Sequence, residues 1–138
     1  MFVLAEETKT SLIATIVQTV DPAFIILFGS FAKERNRPES DLDLAYFSEK
    51  ALSSYERFEL AGELAIITGR EVDLVDLKKA DTIFTMQIFS QGEPIYVKNQ
   101  EVWTQQKMRA YSMYATLNEQ RKPVLDAIKK RGSVFGHE

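Results

Sequence analysis

Phe24-Ile25-Ile26-Leu27-Phe28-Gly29-Ser30, then ten residues, then Asp41-Leu42-Asp43-Leu44-Ala45-Tyr46-Phe47 is the stretch on which the fold turns. Two short runs rich in β-branched and aromatic residues read as buried strands. Between them Gly29 allows backbone angles closed to other residues and a close approach to the main chain. Ser30 suits an N-cap, and Phe31 to Arg35 is read as the first turns of a short helix. Free N–H groups and the positive end of such a helix make a site for phosphate. Asp41 and Asp43 are two apart, so on a strand both carboxylates leave the same face. Two carboxylates held about 5 Å apart repel by roughly 3 kcal/mol at an effective dielectric near 20. Such a pair shares a proton or binds a cation, and oxygen ligands favour magnesium or manganese.

A third carboxylate follows in Glu71-Val72-Asp73-Leu74-Val75-Asp76-Leu77, another strand-like run after the turn at Gly69-Arg70. If this strand lies beside the first acidic one, Asp73 faces the same site. Asp76 has the opposite parity and is disfavoured. Three carboxylates with two metal ions would clamp an in-line phosphoryl or nucleotidyl transfer. An EF-hand is excluded, because counting from Asp41 puts Tyr46 where glycine is needed and Leu52 where the bidentate glutamate belongs. No Walker-type Gly-Lys-Ser/Thr is present.

The stretch Gly29 to Leu44 resembles the signature of the polymerase-β-like nucleotidyltransferases. The size and layout resemble the minimal members, the MntA-type antitoxins paired with HEPN-domain toxins. The resemblance implies an α+β nucleotidyltransferase fold: a small mixed sheet with helices packed on it and a C-terminal helical segment. It implies that Asp41, Asp43 and Asp73 hold two magnesium ions (manganese as an alternative) and carry catalysis. Gly29 and Ser30 would then contact the nucleotide phosphates. Where the family often has Arg-Gly, this chain has Lys33-Glu34. Lys33 keeps the charge, and Arg35 and Arg37 stand near enough in sequence to supply phosphate contacts. The implied activity is AMP transfer from ATP to a tyrosine of a HEPN ribonuclease toxin in a hetero-oligomer. The alternatives are an adenylyltransferase for an aminoglycoside-like small molecule and a non-catalytic antitoxin that neutralises its partner by binding.

The chain has 138 residues, 45% hydrophobic and 27% charged, which suits one domain spanning 1–138. Its net charge of −3 disfavours broad nucleic-acid binding. The absence of cysteine fits a reducing cytoplasm, and no apolar run approaches the ~20 residues needed to span a bilayer. Residues 6–20 read as an amphipathic helix with Leu12, Ile13, Ile16, Val17 and Val20 on one stripe. Ser53 or Ser54 caps a second, with Phe58, Ala61, Leu64, Ala65 and Thr68 expected inward and Gly69 as the stop. Asp81 caps a third, carrying Ile83, Phe84, Gln87 and Ile88 and running to Gln91-Gly92. Glu93 to Lys98 reads as an edge strand marked by Pro94. Residues 100–131 form the helical segment, where Pro123 is expected to kink the helix or begin another. From Lys129 onward the chain is expected to be a mobile end.

Overall fold

The computed structural model describes residues 4–29 and 41–135, with side chains described as far as Lys130. In chain order the elements are α1 (Glu6–Val20), β1 (Phe24–Phe28), β2 (Leu42–Phe47), α2 (Ser54–Thr68), β3 (Val72–Asp76), α3 (Thr82–Gln91), β4 (Glu93–Val97) and α4 (Gln100–Phe135). The sheet order is β3-β2-β1-β4. β1 runs antiparallel to both β2 and β4, and β2 runs parallel to β3 across the α2 connection. The sheet is therefore mixed, with helices on both faces.

The continuous apolar character of β1 follows from burial on both sides. Ile25 and Leu27 join Leu12, Ile16 and Val20 of α1 and Leu60 and Leu64 of α2 in one layer. Phe24 and Ile26 join Ile88 and Phe89 of α3 and Ala110 of α4 in the other. In that second layer the Phe24 ring stacks on Phe47 at 5.5 Å and meets Trp103 edge-on at 5.0 Å. Such ring pairs contribute about 0.5–1.5 kcal/mol beyond their area and fasten the first half of α4 to the sheet.

Ser53 is the cap of α2. Its hydroxyl accepts from Glu56 N–H while the Glu56 carboxylate accepts from Ser53 N–H, and Gly69 closes the helix in the left-handed region. Ser53→Ala is expected to lose about 1 kcal/mol, seen as a melting temperature about 3–4 °C lower with catalysis untouched. Asp81 caps α3 by accepting from Phe84 N–H.

Two expectations, on α2 and α4, are corrected. In α2 the buried stripe is Leu60 and Leu64, and Phe58 is 75% exposed. At 100° per residue Phe58 lies about 120° from Leu64, whereas Leu60 lies about 40° away. In α3 the inward residues are Ile88 and Phe89, with Gln87 and Ile83 exposed. In α4 no second helix begins at Pro123: one helix runs from Gln100 to Phe135, and residues 136–138 of the expected mobile end lie outside the described residues. Proline removes one intrahelical bond and costs about 3 kcal/mol. Here it stands on an exposed stretch, where water can satisfy the freed carbonyl, between good helix formers. Among the described residues no helix is long and apolar enough to cross a membrane.

Candidate functional site

The acidic residues gather where β2 and β3 begin. Parallel pairing sets Asp43 beside Asp73 in register, roughly 4.8 Å apart across the ladder. Asp41 lies just before β2 and is exposed, Asp43 is half-buried, and Asp73 is exposed. Asp76 pairs with Tyr46 on the opposite face, is buried, and accepts from Lys78 N–H. The parity argument that separated Asp73 from Asp76 thus matches their positions in the sheet.

β1 closes the site from the other side. Its last residue, Phe28, pairs with Asp43, and Gly29 follows with φ of +75°. A Cβ at Gly29 would collide with Asp43 Oδ2 and lie 3.0 Å from its carboxyl carbon. Gly29 is thus required twice, by its backbone angle and by the carboxylate lying against its Cα. The edge-on pair of Phe28 and Phe84, 5.8 Å apart, forms an apolar wall alongside. Neither the Gly29–Asp43 contact nor the part played by Phe84 emerged from the sequence. The antiparallel pairing of the two strands is the signal that carries the first.

Electrostatics single out Asp43. Its carboxyl is raised from 3.8 to about 6, first by burial, then by the negative charges of Asp73 and Asp41. Every one of these causes opposes ionisation. The donor set is all oxygen, and its central member carries a repulsion that a hard divalent cation would relieve. On that ground the residues suit such an ion, although among the described residues no three acidic or histidine side chains surround a common point. Ser30, Lys33, Arg35 and Arg37 lie outside the described residues. Two hollows of about 470 and 530 Å³ open around Phe47 at the other end of the sheet, and none of the three aspartates lines them. A groove of about 380 Å³ does include Asp73.

Known proteins resemble this chain in sequence and in fold. The family model "Polymerase beta, Nucleotidyltransferase" matches residues 10–101. The protein adenylyltransferase MntA of Shewanella oneidensis is 31% identical over 115 residues, covering 82% of this chain and 81% of that protein. A crystal structure of a toxin–antitoxin with AMP-PNP superposes with a TM-score of 0.80 at 29% identity, covering 88% of this chain and 98% of that one. A structure of the tri-AMPylated Shewanella oneidensis HEPN toxin with its MNT antitoxin gives 0.76 at 27% identity, covering 90% and 98%.

Proposed function

The chain belongs to the polymerase beta nucleotidyltransferase family, and from that premise we propose that it transfers AMP from ATP to a tyrosine hydroxyl of a HEPN ribonuclease toxin, silencing it. The observation that carries this reading is Asp43 paired in register with Asp73, under the charge of Asp41 and against the left-handed Gly29. Likeness to MntA, and to an antitoxin bound to a tri-AMPylated HEPN toxin, supports the choice of acceptor. Likeness to a complex with AMP-PNP supports ATP as donor.

The acceptor oxygen attacks the α-phosphorus, the bond to the bridging oxygen breaks, and pyrophosphate leaves carrying the electron pair. The hydroxyl proton passes to Asp73 and on to solvent. Asp41, Asp43 and Asp73 would hold two magnesium or manganese ions, whose chemistry when bound is an acidified acceptor hydroxyl and a neutralised leaving group. Gly29 and Ser30 offer main-chain N–H groups to the phosphates, and Lys33, Arg35 and Arg37 offer positive charge. The chain's contribution is positioning and charge neutralisation. Residues 1–138 act as one minimal nucleotidyltransferase domain, in the cytoplasm and in a hetero-oligomer with the toxin.

Purified chain incubated with its HEPN-domain partner, labelled ATP and magnesium is expected to label a tyrosine of the partner. Chelation or Asp41→Asn is expected to remove the label. Neutralisation that survives Asp41→Asn without label would instead identify an antitoxin acting by binding. Label appearing only on an added aminoglycoside would identify a drug-modifying enzyme.

A further inference from the structure

β3 ends the sheet, and its ladder to β2 is anchored at both ends: Leu42 N–H donates to the Glu71 carbonyl, and Leu77 N–H donates to the Tyr46 carbonyl. In a parallel ladder alternate residues turn their main-chain groups to the neighbour. Glu71, Asp73, Val75 and Leu77 therefore face β2, while Val72, Leu74 and Asp76 face outward. The Asp76 carbonyl is taken by Lys79 N–H. Val72, half-buried, and Leu74, with its side chain in the core, are left with outward N–H and C=O groups that no described residue pairs.

Open sheet edges invite another strand, and proteins usually blunt them with proline, bulges or charge. The opposite edge, β4, is blunted in this way: it carries Pro94, and its register with β1 shifts between Ile25 and Ile26. β3 has neither proline nor a register shift; of its two charges, Asp73 stands beside Asp43 at the site and the Asp76 carboxylate is folded back onto Lys78 N–H. A groove of about 380 Å³ runs along this edge, bounded by Arg57 of α2 and Phe84 of α3, and Asp73 lines it.

The direction of attack selects the same edge. Gly29 and its contact with Asp43 put the phosphate cradle on the β1 side of the carboxylates. An in-line displacement brings the attacking oxygen from the side opposite the leaving pyrophosphate, which is the side of β3 and the exposed Asp73. Outward N–H and C=O groups repeating every second residue match an extended polypeptide and no nucleotide or sugar. We propose that the protein substrate docks as an extended segment along β3, adding a fifth strand whose acceptor hydroxyl passes Asp73. This rests on the function proposed above and names how its acceptor is held.

The test is residue-resolved amide hydrogen exchange on the chain alone and in complex with its HEPN-domain partner, alongside the transfer assay. The Val72 and Leu74 amides are expected to exchange at least tenfold more slowly in the complex. Val72→Pro removes one outward N–H at the first residue of an edge strand, where proline is tolerated. It is expected to lower transfer to protein at least tenfold with ATP affinity unchanged; should this variant fail to fold, the exchange measurement decides. Transfer by the wild-type chain without slowed exchange at these two amides overturns the docking mode alone. Absence of any transfer by the wild-type chain overturns the functional reading, and this inference with it.

Discussion

Asp43→Asn is expected to reduce AMP transfer by about a thousandfold or more while making the fold more stable. The rate loss follows from removing the central oxygen donor, since cation-assisted charge stabilisation is worth several kcal/mol and each ~1.4 kcal/mol is a factor of ten. The gain in stability follows from the repulsion: Asp43 is half-buried and faces two like charges. Folding raises its carboxyl from 3.8 to about 6, so the native state binds the proton more tightly than the unfolded chain. With no divalent cation the stability contributed by Asp43 is therefore fully present below pH 4, falls as pH rises from about 4 to 6, and stays lost above that. The full shift corresponds to about 3 kcal/mol, and solvent screening of a half-exposed group reduces it to about 1–2. Asparagine removes this slope. Denaturant unfolding at pH 5 and pH 7.5 in chelator measures it directly. A variant that keeps a tenth of wild-type transfer, or that unfolds more readily than wild type at pH 7.5, would contradict this account of the site.

Gly29→Ala carries the second large effect, and Gly69→Ala is its control. Both glycines sit at nearly the same left-handed angle, φ +75° and +70°. Alanine there costs about 1–2 kcal/mol in either place. They differ in surroundings: a Cβ at Gly69 meets nothing within 4 Å, whereas a Cβ at Gly29 strikes the Asp43 carboxylate. Relief requires the carboxylate to swing away, and a displacement near 1 Å in a reacting group can cost about a hundredfold in rate. Both variants should melt at lower temperature. Only Gly29→Ala should lose transfer, by about a hundredfold with the folded fraction matched. Equal activity in the two would mean that Gly29 acts only as a turn.

Much of the site was readable along the chain because strand geometry is local. A period of two separates Asp73 from Asp76 without reference to any other element; Asp41 stands just before β2, outside the strand. Caps were equally local: Ser53 and Asp81 each stand before a helix and accept from the N–H three residues on. Amphipathic faces were less legible. Phe58 belongs by composition to a core, yet it lies exposed, because the stripe that α2 buries is set by where α1 and the sheet stand.

Chain order and residue type by themselves determined the strands, the helix starts and the set of acidic side chains able to meet, since each depends on neighbours a few positions away. The tertiary structure alone decided that β3 lies against β2, that Asp43 rests on Gly29, that β3 ends the sheet among the described residues, and that α4 continues through Pro123. Those outcomes depend on which distant segments pack together. Strand pairing across some thirty residues is settled by burial of both sheet faces and by loop closure, not by the preferences of the residues that end up side by side.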